Sequence, residues 1–403
     1  MTRNWSLVRC ALLLAVIAAC SDSKVSVGPA GRTAFERYVS IGTSVSMGWN
    51  ADGVTSSTQQ HAWPVQLAAF ANVSFSVPLI QSPGCTPPII TPLAFQKRLD
   101  NTSAAASSSV CAANFPGIVL PTNNVAISGA KASDAFLKTG ASSVLASRVL
   151  PPTLTQVTAM LAQKPTFVSV ELGANEVLGT TSGLLLPNAT LTPADTFFKY
   201  FDGVVDSVAK TGARAVLAGL VADVKSFPSI RSGSEIAADS VVLFNQWYVQ
   251  VTDDCGKANA NNLLFIPRTV LVAIATGSAR AAAGLSRATL SCADVPFTGT
   301  NLTAAQDGIL TPADRTAINA LLLLMSDHIK AKATSHGWAY FELNSLYSLP
   351  KAPFSSVTLM TDVLPYGANF AADGVHPSAA GHTILARAAA HAINILYNFS
   401  ILE

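Results

Sequence analysis

The chain has 403 residues, half of them apolar and only 12% charged. That is ample for a large core and long for one ordinary domain, so a single enlarged domain is the expectation. A formal net charge of +2 with no cluster of lysine or arginine leaves no electrostatic footprint for nucleic acid, and that class of partner is excluded.

Residues 1–20 read as a secretory leader, in which Arg3 and Arg9 precede the apolar run Ala11 to Ile17, too short to span a bilayer. Its end, Ile17-Ala18-Ala19-Cys20, resembles the lipobox of bacterial lipoproteins. The resemblance implies lipidation at Cys20 and a membrane anchor through the lipidated amino terminus. It places the protein in the bacterial cell envelope, at the outer membrane or another extracytoplasmic face; without the lipid it would be periplasmic or secreted. Residues 21–34, with Gly28, Pro29 and Gly31 and no apolar period, are expected to be a flexible tether before a domain spanning 35–403. With Cys10 removed in the leader and Cys20 lipidated, Cys85, Cys111, Cys255 and Cys292 remain, an even set in an oxidising compartment. Spacing does not fix their pairing, but disulfides Cys85 to Cys111 and Cys255 to Cys292 would each staple one loop-rich segment. No Cys-x-x-Cys is present, and no metal site is expected.

Tyr38 to Gly42 reads as a buried strand running into a glycine turn that presents Ser44, a hydroxyl expected to face solvent at the carboxyl end of a parallel sheet. Residues 51–60 look like polar loop, and Ala62 to Phe70 a helix. Residues 78–121 are rich in proline and hold the first two cysteines, which suggests a surface excursion outside the core. Asn124 to Ile127 is the next strand and stops at Ser128-Gly129. A helix over Thr153 to Ala162 leads to the strand Thr166 to Leu172, which ends in Gly173-Ala174-Asn175-Glu176. Thr192-Pro193-Ala194-Asp195 and Thr311-Pro312-Ala313-Asp314 carry the same helix-start signal of hydroxyl cap, first-turn proline and carboxylate. Ala213 to Leu220 is a fourth strand. A helix around Ala237 to Val251 is expected inside a second insertion, 228–308, which adds no clear strand to the sheet. Pro312 to Ala333 is a helix, Trp338 to Phe341 a strand and Ala379 to Tyr397 the last helix. Strands alternating with helices argue for a parallel sheet covered on both faces.

Acyl transfer by a serine needs a base for its proton, a group that holds the base, and donors for the oxyanion. Asp373 and His376, three residues apart in one turn, supply the second and first of these. Ser44 and Gly129 offer backbone N–H groups and Asn175 a side-chain amide as oxyanion donors. His61, His328, His336, His382 and His391 fall in or beside helices and are expected to be packing or surface residues. Gly42-Thr43-Ser44-Val45, Gly129, Gly173-Ala174-Asn175-Glu176 and Asp373 to His376, in that order, resemble the four signature blocks of the SGNH hydrolases, also called GDSL esterases and lipases. The resemblance implies a flavodoxin-like three-layer α/β/α sandwich with a mostly parallel five-stranded sheet. It also implies a monomeric esterase or lipase with Ser44, His376 and Asp373 as catalytic residues, no cofactor, and a small-molecule or glycan ester as substrate. Thr43 and Glu176 stand where the family has aspartates. Those departures leave a second reading, a catalytically inactive binding protein of the same fold for a surface glycan or lipid.

Overall fold

The computed structural model describes residues 29–104, 108–297 and 306–403. The expected leader, Cys20 and residues 21–28 lie outside them. From Pro29 the chain forms a short helix, Pro29–Ala34, where the tether was expected to continue. Phe35, the next residue, is fully buried and packs against the rings of Tyr38 and Phe167, which also meet each other, in an aromatic cluster at the entry to the first strand.

Nine strands are found among the described residues: β1 Tyr38–Gly42, β2 Phe167–Glu171, β3 Arg214–Gly219, β4 Ile230–Ser232, β5 Val249–Val251, β6 Leu263–Phe265, β7 Ala288–Leu290, β8 Ile309–Leu310 and β9 Ala339–Glu342. The core sheet runs β1-β2-β3-β9, and every neighbouring pair is parallel. Its register puts Phe167, Ser169, Glu171 and Phe341 on one face and Val168, Val170, Leu217 and Tyr340 on the other. The helices Trp63–Phe70 and Ala379–Tyr397 cover the first face, where Trp63 meets Phe341 and Tyr397 meets Phe167 edge to face. Gln156–Ala162, Ala194–Ala209 and Pro312–His336 cover the second. Because both faces are buried, β1 and β2 are continuous runs of buried residues and not alternating ones.

Residues 124–127, expected as a strand, lie parallel along the free edge of β1. Ser40 N–H donates to Asn123 O, Val125 N–H to Ser40 O and Ile127 N–H to Gly42 O, at 2.9, 3.0 and 3.1 Å. The segment is irregular for a local reason: Asn124 Oδ1 accepts the N–H of Ala126, and its amide donates to Ser46 O at 2.7 Å. It is the fifth, edge member of the sheet, and it ties the edge to the turn that follows β1.

The two Thr-Pro-Ala-Asp tetrads behave differently. Thr311 caps Pro312–His336 through a reciprocal pair with Asp314, its hydroxyl accepting from Asp314 N–H while the carboxylate accepts from Thr311 N–H. Thr192 does not cap Ala194–Ala209. Its own N–H is drawn to Glu176 O at 2.7 Å, so the helix begins one residue later.

Two regions depart from their sequence reading. Residues 78–121 are not confined to the surface: Ile80, Cys85, Leu93 and Arg98 are buried against the loop after β1, where Val54 N–H donates to Thr86 O. Within 228–308 the expected long helix is two short ones, Gly233–Ala238 and Ser240–Trp247, and Tyr248 at φ 57° turns the chain into β5. Short strands form an antiparallel set β4-β6-β8 and a parallel pair β5-β7, none of which joins the core sheet. Disulfides join Cys85 to Cys111 and Cys255 to Cys292, the second buried beside β5 and β7.

Candidate active site

β1 ends at Gly42, and the helix Ser44–Met47 starts two residues on. Glycine is required there, since a Cβ on residue 42 would lie 2.5 Å from Ser46 Oγ. Ser44 is only 4% exposed, against the expectation of a solvent-facing hydroxyl. The turn is roofed by later parts of the chain, and Ser44 opens instead onto a cavity that it shares with His376. The remaining walls are mostly apolar: Val45, Val177, Leu178, Leu220, Val224, Phe227, Leu343 and Tyr347 among others, with Thr180 and Thr181 as the exceptions in kind. Ser44 Oγ makes no hydrogen bond among the described residues.

The turn after residue 372 holds the imidazole. Asp373 Oδ1 accepts from the backbone N–H groups of Val375 and His376, both at 2.9 Å, and Oδ2 accepts from His376 Nδ1 at 2.8 Å. Nδ1 donates, so Nε2 is the nitrogen left to act as base. Burial works against a charge on His376, but the Asp373 carboxylate beside it outweighs that and raises the imidazole pKa above its usual value. Burial likewise opposes ionised Asp373, and His376 together with the two backbone donors prevails and lowers its pKa. Ser229, at the start of the second insertion, donates its N–H and its hydroxyl to Gly374 O, and Tyr347 donates to Val375 O. The turn is therefore braced from two sides.

Gly129 sits at φ 77°, a conformation that L side chains rarely adopt, and is exposed at the end of the edge segment. Asn175 lies in the turn after β2, and its amide donates one hydrogen to Ala130 O at 2.9 Å. The loops carrying Gly129 and Asn175 are thus joined to each other. Glu176 strengthens the joint, because its buried carboxyl accepts from Ala132 N–H at 2.7 Å. Its second oxygen has no partner, and burial pushes its pKa up to about 7.

Of the histidines, only His376 lines the cavity. His328 meets Asp202 and stacks on Phe198, His336 stacks on Trp338, His391 pairs with Glu403, and His61 bonds Ser57 O. His382 is buried with neither ring nitrogen partnered, and burial pushes its pKa down to about 3. No group of three or more His, Cys, Asp and Glu is placed to hold a metal ion among the described residues.

Sequence reasoning missed three charged residues at the site. Asp52 N–H donates to Asp373 Oδ2, and Asp52 is held by an ion pair with buried Arg98 at 2.6 Å. Glu171 lies under the serine turn, accepting from Thr43 and Ser46. None carries a local signal, because each finds its partners only once distant segments have packed.

A serine at a strand-to-helix turn, sharing a cavity with a carboxylate-held imidazole on a parallel α/β sheet, defines a serine ester hydrolase. The chain belongs to the family of GDSL-like lipases and acylhydrolases, whose model matches residues 38–389. No curated protein matches the chain. Similar solved structures include a catalytic mutant of an acetylxylan esterase from Geobacillus stearothermophilus, 14% identical over 89% of this chain and 94% of that one, with a TM-score of 0.36. An extracellular lipase from Streptomyces rimosus is 14% identical over 87% and 98%, at 0.35. A phospholipase A1 from Streptomyces albidoflavus is 16% identical over 87% and 98%, at 0.34. Likenesses at this level carry no argument about substrate.

Proposed function

We propose that the protein hydrolyses carboxylic esters with apolar acyl groups through a Ser44, His376 and Asp373 triad. The observation that supports it most is that Ser44 and His376 line one largely apolar cavity while Asp373 holds the far side of the imidazole. Ser44 Oγ attacks the ester carbonyl as its proton passes to His376 Nε2. The oxyanion is received by the N–H groups of Ser44 and Gly129 and the amide of Asn175. Collapse expels the alcohol, which takes the proton from His376, and water then attacks the acyl-enzyme by the same steps in reverse. The acyl group would lie against Val177, Leu220, Phe227 and Tyr347. Thr43 and Glu176 do not enter these steps, so their departure from the family pattern is compatible with activity.

The domain of residues 35–403 is proposed to work at the bacterial cell envelope, held by a lipid on Cys20 after the leader is removed. The two disulfides fit an extracytoplasmic setting. No helix among the described residues is long and apolar enough to cross a membrane. Hydrolysis of nitrophenyl esters of increasing acyl length by the purified protein, with a fluorophosphonate probe read at Ser44, tests the assignment. Wild-type protein that cleaves no ester and takes up no probe would overturn it.

A further inference from the structure

The first signature block carries Thr43 where the family has an aspartate, yet the serine turn does not lack a carboxylate. Gly42, the last residue of β1, pairs in register with Glu171, the last residue of β2, and the Glu171 side chain reaches beneath the helix Ser44–Met47. Glu171 is 1% exposed. Its Oε2 accepts from the backbone N–H of Thr43 at 3.1 Å and of Ser46 at 3.2 Å, and from the Ser46 hydroxyl at 3.0 Å. The Thr43 hydroxyl donates to Oε1 at 2.8 Å. Ser46 Oγ accepts from the buried Trp63 indole at 3.1 Å, so the hydroxyl proton is left to point at Glu171.

We infer that Glu171 is a positioning residue for the nucleophile, supplying from the end of β2 the carboxylate that the serine turn lacks at Thr43. This rests on the proposed esterase function. The geometry selects among the N–H groups of the turn. Those of Thr43 and Ser46, on either side of the nucleophile, are engaged by Glu171, while that of Ser44 makes no hydrogen bond among the described residues and stays available to an oxyanion. All four protein groups around the carboxylate are donors, so its hydrogen-bond partners match the ionised form, although burial pushes its pKa upward. In a neutral amide the oxygen could still face the N–H groups of Thr43 and Ser46, but the NH2 would then meet the Thr43 hydroxyl, which must turn from donor to acceptor, and the charge that strengthens all four hydrogen bonds is lost. Fixing residues 43 and 46 sets where Oγ and the N–H of Ser44 point, and misplacement by about 1 Å can cost roughly 100-fold in rate.

The test compares wild type, Glu171→Gln, Glu171→Asp, and Thr43→Asp combined with Glu171→Gln, all as full purified protein, by thermal melting, ester hydrolysis and rate of fluorophosphonate labelling. Glu171→Gln is expected to keep KM within about twofold while kcat and labelling fall roughly 10- to 100-fold. Returning a carboxylate at position 43 in the double variant is expected to recover most of that loss, which a merely structural role for Glu171 would not produce. Should Glu171→Gln fail to fold, Glu171→Asp decides: it keeps the charge, is one methylene too short to reach both sides of the serine, and is expected to lose kcat at unchanged KM. A folded Glu171 variant with wild-type kcat, or a loss that the double variant does not recover, overturns the inference. Wild-type protein without hydrolysis or labelling instead overturns the esterase function itself, and the positioning role with it.

Discussion

The backbone N–H of Asp52 donates to Asp373 Oδ2 at 2.8 Å, bringing together residues 321 apart in the chain. The same oxygen accepts from His376 Nδ1, and Oδ1 accepts two backbone N–H groups from the turn. Both oxygens of Asp373 are therefore surrounded by donors, and an NH2 in place of either would face an N–H.

That arrangement predicts the result of Asp373→Asn. Whichever way the amide is turned, it loses acceptors, and the imidazole loses the partner that raises its pKa. In the proposed mechanism only neutral His376 serves as base, so wild-type activity should fall as pH drops through a pKa above the ordinary imidazole value. In Asp373→Asn the acid limb should move to lower pH while kcat at neutral pH falls on the order of 10,000-fold. A pH and rate profile of both proteins checks this. An unmoved acid limb would mean that His376 does not set it.

Glu176 predicts a stability effect with a defined sign. Its carboxyl pKa is about 7 in the folded protein against a usual 4.5, so between those values the unfolded chain ionises while the folded one stays protonated. Stability conferred by the neutral group therefore falls as pH rises from 4.5 to 7, and above that the cost is constant at about 3 kcal/mol. Glu176→Gln, neutral throughout, should gain on wild type across that window and hold its advantage at higher pH. Thermal melts at several pH values check it; parallel curves for the two proteins would refute it.

Much of the core was legible because its strands are buried on both faces. Tyr38–Gly42 and Phe167–Glu171 are unbroken core runs, and each ends at a glycine or polar turn that supplies a site residue. The insertion was not legible for an equally physical reason. Ile230–Ser232, Leu263–Phe265 and Ile309–Leu310 are too short to show a period, and they become strands only by pairing with one another. Glu171 looked like one more residue at a strand end. Its role exists only because register places it opposite Gly42. The burial of Ser44 was missed likewise, since the residues that share its cavity come from as far along the chain as His376.

For the proposed anchor, Cys20→Ser should release an active protein from membranes. Acyl chains contribute roughly 0.8 kcal/mol per buried methylene, so several chains hold a protein that a cleaved leader cannot. Fractionation of cells expressing each form checks it. A variant that stays in the membrane pellet with its leader removed would rule out lipidation at Cys20 as the anchor.

Asn175→Ala should lower kcat about 100- to 1,000-fold with KM nearly unchanged, because the second amide hydrogen bonds the substrate oxygen fully only as charge develops. Since the first hydrogen donates to Ala130 O, the substitution also loosens the loop bearing Gly129, which places the expected loss toward the larger figure. A raised KM at unchanged kcat would make Asn175 a ground-state binding residue.

Ser44, His376 and Asp373 should act as one unit, so that their removals do not add. Once Ser44→Ala has taken away the nucleophile, His376 has no proton to accept, and a further His376→Ala should cost almost nothing. Either single change is expected to lower kcat on the order of 1,000,000-fold, and Asp373→Asn by less, because the turn still holds the ring near its place. The measurement is hydrolysis of an activated short-chain ester by the wild type, the three single variants and the Ser44 and His376 double variant, with fluorophosphonate labelling followed in parallel. Labelling should disappear in Ser44→Ala and slow strongly in His376→Ala, since the probe too needs an activated hydroxyl. Losses that multiply in the double variant would mean that two independent features had been damaged, and the cavity shared by Ser44 and His376 would then be a binding site without a triad.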